Sequence, residues 1–120
     1  MKENIKVDIK RWRKEIRRGV LKMCVLLLLS KKEMYGYEIS KALESLGEEV
    51  LHIDEGTLYP LLRRLESSGY VVAEWRYSNG KARRYYRITA LGSMFLDSVK
   101  SFWEKLTSVV DKMMRGEFYV

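Results

Sequence analysis

The 120-residue chain carries few side chains suited to making or breaking bonds. Its one cysteine, Cys24, and one histidine, His52, cannot assemble a structural zinc site, which draws its four ligands mostly from those two residue types. His52 lies in the short apolar run Val50-Leu51-His52-Ile53 and reads as a partly packed or loop-capping side chain rather than a catalytic base. There is no glycine-rich phosphate loop and no G-x-S-x-G motif, and no carboxylate pair stands out as an acid–base couple. No metal, cofactor or enzymatic reaction is expected. What does cluster is cationic and aromatic: Tyr59, Arg63 and Arg64 in one segment, and Arg76, Lys81, Arg83 and Arg84 in the next. Guanidinium and ammonium groups at that density recognise polyanions.

The formal charge of +7 is unevenly spread. Residues 1–22 hold nine Lys/Arg against Glu3, Asp8 and Glu15, and residues 63–87 hold seven against Glu66 and Glu74. Residues 23–62 are acidic and residues 88–120 balanced, so the basic character belongs to two segments whose partner is nucleic acid or an anionic membrane surface. The charge-free run Met23 to Ser30 is far shorter than the roughly 20 residues of a spanning helix, so no transmembrane segment is expected. No signal-peptide core is visible, and a lone cysteine allows no intrachain disulfide; a reducing cytoplasm is the expected location. With 47% hydrophobic and 32% charged residues and a single proline, the chain is expected to fold as one domain.

The elements that must position the cations follow from periodicity. Ile9, Trp12, Ile16, Val20, Met23 and Leu27 recur at steps of three or four, predicting a first helix over residues 8–29 with Asp8 as N-cap. Its second half is apolar nearly all round and belongs in the core; its first half is amphipathic and suited to a partner subunit. Tyr35 to Leu46 reads as a second helix with Ile39, Leu43 and Leu46 inward and Gly47 as its stop. The segment from Asp54 to Gly69 reads as a third. Pro60 favours Thr57 as its N-cap, because an earlier start would sacrifice a hydrogen bond. Leu58, Leu61, Leu62 and Leu65 then form the inner face, with Pro60, Arg63 and Ser67 outward and Tyr59 and Arg64 beside them.

Tyr70 to Ser78 and Lys81 to Ile88 are joined by Asn79-Gly80, the pair suited to a type I′ turn because both central residues need positive φ. Pairing Ser78 with Lys81 sets the register out to Val71 opposite Ile88, and turns Val71, Ala73, Tyr86 and Ile88 toward the core. Arg76 then faces Arg83, a like-charge pair that costs some tenths of a kcal/mol and suggests an anionic partner for the tip. Thr89 caps a last helix from Ala90 to Arg115, in which Phe95, Val99, Phe102, Leu106, Val109 and Met113 form a heptad seam, widened by Leu96, Trp103 and Val110. That seam predicts a homodimer.

Helix, helix, helix, basic hairpin is the order of a winged helix-turn-helix. The expected fold is mainly α with a small β-hairpin (α+β): a winged helix-turn-helix domain over residues 1–88 and a long C-terminal dimerisation helix over residues 89–120, forming one compact unit. The expected partner is double-stranded DNA. Thr57, Tyr59, Arg63 and Arg64 are candidates for reading bases, Tyr37 for a phosphate, and Arg76, Lys81 and Arg83 for the backbone from the wing, with Arg84 drawn instead to the face of Trp75. Two rivals stand beside this: a peripheral membrane-surface protein dipping Trp12 and Ile16 into headgroups, and a winged helix serving only protein interaction.

Three ordered blocks also resemble a known family. Tyr35-Gly36-Tyr37-Glu38-Ile39, then Gly56-Thr57-Leu58-Tyr59-Pro60-Leu61-Leu62-Arg63-Arg64-Leu65-Glu66 with Gly69, then Arg84-Tyr85-Tyr86-Arg87-Ile88-Thr89 with Gly92, are similar to the PadR transcriptional regulators of bacteria and archaea. The likeness spans residues 16–106 and implies a winged-helix dimer that binds palindromic promoter DNA, usually as a repressor, with one long C-terminal helix in short members. In some drug-responsive relatives an aromatic residue on that helix lines a flat hydrophobic pore at the dimer centre. Trp103, fourteen residues after Thr89, has the similar place. The resemblance thus implies a small planar hydrophobic ligand at Trp103, and Trp12 is a further candidate to line that site; the competing reading is that both tryptophans fill the dimer core. The basic stretch before the first helix departs from the family pattern.

Overall fold

The computed structural model describes residues 2–47, 50–51 and 53–120, so His52 lies outside the described residues. The first helix, α1, runs from Lys2 to Leu29. Asp8 is therefore not its cap but an interior residue, and the basic extension is the helix's own first turns. Residues 2–8 contain neither glycine nor proline, Glu3 sits favourably in the first turn, and Ile5 continues the stripe of Ile9, Trp12 and Ile16. The buried residues, Leu21, Met23, Val25, Leu26 and Leu29, all lie in the second half.

A two-residue strand, β1 (Met34–Tyr35), precedes α2 (Gly36–Gly47). Ile39 and Leu43 of α2 are buried, but Leu46 is 76% exposed, contrary to its expected inward position. The periodicity is right and the helix simply carries Leu46 one turn beyond the residues that cover Leu43.

Helix α3 spans Glu55–Ser67 and is capped by Asp54, not Thr57. The Thr57 N–H and hydroxyl donate to Asp54 Oδ1 at 2.9 and 3.0 Å, and the Thr57 and Leu58 N–H groups donate to the Asp54 carbonyl. Aspartate outranks threonine as a cap, and these contacts outweigh the one bond that Pro60, now inside the helix, cannot donate to the exposed Gly56. The helix ends in a Schellman turn: Gly69 adopts φ +78°, its N–H reaches the Glu66 carbonyl, and the Tyr70 N–H reaches that of Leu65.

Strands β2 (Val71–Ser78) and β3 (Lys81–Ile88) form the expected hairpin, paired residue for residue from Val71 opposite Ile88 to Ser78 opposite Lys81. Asn79 and Gly80 have φ +51° and +76°, as a type I′ turn requires. Val71 and Tyr86 are buried in the core, with Ala73 and Ile88 packed against it. β1 adds to β3 through Met34 opposite Tyr86 and Tyr35 opposite Tyr85, so the sheet has three strands in the order β1-β3-β2.

Helix α4 (Ala90–Met114) starts where the hairpin returns to the end of α3. Thr89 Oγ1 accepts from the Gly92 N–H at 3.0 Å and donates to the Gly69 carbonyl at 2.6 Å, while the Thr89 N–H donates to the Tyr70 carbonyl. Leu96 is buried, and Phe95 stacks on Tyr70 with ring centroids 4.4 Å apart. Phe95 and Val99, the first two seam residues, thus pack on the protomer's own core. From Phe102 onward the seam is exposed.

Candidate nucleic-acid interface

The core leucines of α3 set the direction of its other side chains. Leu58, Leu61, Leu62 and Leu65 are buried, which turns Arg63 and Ser67 outward into solvent, with Pro60 half-buried on the same side. Thr57 and Arg64 are exposed on one flank of that face and Tyr59 on the other. Tyr59 is held by α2: a Cβ on Gly36 would lie 2.9 Å from the Tyr59 ring, so glycine at the start of α2 lets the ring close over the junction of the two helices. The dipole of α3 and its basic outward face both favour an anion.

Tyr37 is 58% exposed at the start of α2. It stacks on Tyr35, which meets Tyr85 edge-on at 5.3 Å, while the Arg83 guanidinium lies 4.8 Å over the Tyr35 ring. β1, which the sequence reading did not anticipate, thus ties the base of the wing to the start of α2 through Tyr35. Two residues are too few for a period-2 signal, so only sheet pairing reveals the strand.

The wing cations have unequal freedom. Arg76 is braced within the chain: its guanidinium donates to both carboxylate oxygens of Glu33 and, at 3.0 Å, to Glu74 Oε2, and it lies 5.0 Å from the Tyr85 ring. That pair holds the Glu33 carboxyl below the usual carboxylate range. The like-charge juxtaposition of Arg76 and Arg83 is therefore relieved inside the protein, by carboxylates for one and an aromatic ring for the other. Arg84 lies over Trp75 at 5.7 Å, as its register implies, and also donates to Glu66 of α3 at 2.7 Å. Lys81 is exposed at the tip, and Arg87, which the sequence reading passed over, is exposed nearer the base. Trp75 and Tyr77 are exposed on the same hairpin, at 63% and 84%.

Away from this surface, Trp12 lies on the exposed stripe of α1 with Ile5, Ile9 and Ile16, and Trp103 on the exposed stripe of α4 with Phe102, Leu106, Val109 and Met113. Cys24 is half-buried on α1, where burial pushes its thiol pKa up. Among the described residues no group of three or more His, Cys, Asp or Glu could hold a metal ion, and no helix is long and apolar enough to cross a membrane.

A helix pair whose second member presents arginine outward, followed by a basic hairpin braced against it, defines a winged helix-turn-helix. Residues 25–98 match the Transcriptional regulator PadR-like family. The chain is 34% identical over 97 residues to the transcriptional regulator Rv3488 of Mycobacterium tuberculosis, covering 81% of this chain and 88% of that one. It superposes on a PadR family transcriptional regulator from Eggerthella lenta with a TM-score of 0.77 at 37% identity, covering 93% of this chain and 96% of the other. A PadR-like transcriptional regulator from Bacillus cereus gives a TM-score of 0.78 at 34% identity, covering 86% and 99%. The chain belongs to the PadR-like family: it is a DNA-binding transcriptional regulator.

Proposed function

We propose that the protein is a cytoplasmic homodimeric repressor that binds a palindromic promoter site. The observation that carries the dimer is the unpartnered apolar surface of two helices: Trp12 and Ile16 of α1 and Phe102, Leu106, Val109 and Met113 of α4 are 43–66% exposed. A lone protomer rarely keeps so continuous an apolar stripe in water. Two-fold pairing through it presents two copies of α3 to one duplex, and a symmetric dimer of this kind calls for an inverted repeat. In each half-site Arg63 and Arg64 read base edges with Thr57 and Tyr59 at their sides, and Tyr37, Lys81 and Arg83 hold the backbone. Arg76 braces the wing. Repression is what the family resemblance implies, and a planar hydrophobic ligand stacking between Trp12 and Trp103 is how it would be relieved.

Selection of bound duplexes from a random library at physiological salt, alongside the mass of the protein in solution, tests this reading. Enrichment of an inverted repeat by a dimer supports it, and a monomer without sequence preference removes it. The exposed stripe of Ile5, Ile9, Trp12 and Ile16 beside the basic face of α1 keeps one rival open, docking on an anionic membrane surface. Sedimentation with anionic vesicles at the same salt separates the two, because a dimer buries that stripe.

A further inference from the structure

A groove of about 810 Å³ runs between α1 and α3. Lys14, Arg17, Arg18 and Lys22 line one wall and Thr57 and Arg64 the other, above an apolar floor of Leu21, Ile53 and Leu61. Each wall is a single helix face. On α1 the cations recur at three- and four-residue steps, a like-charge spacing that disfavours a helix left to itself. Among the described residues Asp54 is the one carboxylate lining the groove, and it already accepts the Thr57 N–H as the cap of α3. Lys22 lies over the Phe95 ring at 4.7 Å, so it contributes field there rather than a direct contact. Among the described residues none of Lys14, Arg17, Arg18 and Arg64 takes part in an ion pair.

The position of this groove on α3 gives it meaning. Glu66 and Tyr59 mark the flank toward the wing and α2, the one through its bond to Arg84 and the other through its contact with Gly36. Thr57 and Arg64 mark the opposite flank, facing α1. The outward face carrying Arg63 is thus bordered by cations on both sides. A helix seated in a major groove about 12 Å wide has a phosphate ridge on either side. The wing serves one, and the geometry points to the cation row of α1 as the contact for the other. Lys14, Arg17 and Arg18 extend for about 6 Å along the helix axis, a line suited to a polyphosphate backbone rather than to a single anion. This inference rests on the DNA-binding reading and adds to it a third contact element, which clamps the duplex from the side away from the wing.

The test compares full-length wild type with a Lys14→Gln, Arg17→Gln, Arg18→Gln variant, glutamine being a good helix former. Binding to the selected duplex and to a scrambled one is measured across a salt series, with circular dichroism and solution mass as checks on fold and assembly. The expected result is that the slope of log K against log salt shrinks by about two to three, about 0.9 per phosphate lost. Affinity falls by the same factor for both duplexes, since backbone contacts carry no sequence information. A Lys2→Gln, Lys6→Gln variant, altered on α1 outside the groove, keeps the wild-type slope. If the triple variant misfolds, Arg17→Gln and Arg18→Gln singly are expected to lower the slope by about one each. A folded triple variant, or both single variants, with the wild-type slope overturns the α1 contact while leaving the DNA-binding reading intact. A wild type that binds no duplex removes both.

Discussion

Arg84 Nη2 on the wing donates to Glu66 Oε2 on the third helix at 2.7 Å, across 18 residues of sequence. The contact fixes the angle between the third helix and the wing. Both side chains are about one-third exposed, so the pair adds little to global stability, about 1 kcal/mol or less. Its value lies in preorganising the wing. Arg84→Met is expected to lower affinity for the specific duplex several-fold with little change in melting temperature, and Glu66→Gln to do the same. A double-mutant cycle on binding reads the coupling, and additive losses would show that the two residues act independently.

Arg63 and Lys81 are expected to behave differently although both are exposed cations. If Arg63 reads guanine as proposed, Arg63→Ala is expected to cost about 1–3 kcal/mol on the specific duplex and to relax base preference at one position of each half-site. Lys81→Ala weakens specific and scrambled duplexes alike and reduces the salt slope by about one. Equal losses on both duplexes for Arg63→Ala would remove it from the reading face.

Gly92 is buried in the first turn of α4, and a Cβ there would run into the carbonyl oxygen of Tyr70. Backbone cannot step aside as a flexible side chain can. Gly92→Ala is therefore expected to destabilise the protein by about 1–3 kcal/mol, readable as a lower midpoint in urea. Gly19→Ala, where nothing lies within 4 Å, is expected to stabilise α1 and serves as the control.

The bond from Arg76 lowers the Glu33 pKa in the folded state, which makes its contribution pH-dependent. A carboxylate with a depressed folded pKa stabilises fully above its unfolded value, about 4.3, and ceases to do so as pH falls through the folded one. Glu33→Gln is expected to flatten the loss of stability below about pH 4.5 and to leave the profile between pH 6 and 8 unchanged in shape. Equal acid sensitivity of the two proteins would show that this pair contributes nothing.

Local chemistry made much of this fold legible. Asn79-Gly80 and the alternating residues on either side specify the hairpin and its register, because turn type and side-chain period are short-range properties. Thr89 reads as a cap, and the inward leucines of α3 read from their spacing. Where local signals compete, as at the start of α3, the penalty for Pro60 is visible in the sequence but the four contacts that Asp54 makes once the helix starts there are not. Leu46 matched the period of α2 but lies beyond its cover.

By itself the sequence determined the order of the four helices and the hairpin, the hairpin register, the outward placement of Arg63 and the family resemblance. Each depends on residues within a turn or a strand of one another, or on ordered motifs along the chain. Tertiary structure alone decided that Arg76 belongs to Glu33, 43 residues away, that Met34 and Tyr35 form a third strand, and that Lys14, Arg17 and Arg18 lie beside the third helix. Such pairings follow from how the core leucines draw distant helices together, and hydrophobic packing, being non-directional, leaves no local mark on the charged residues it carries into contact.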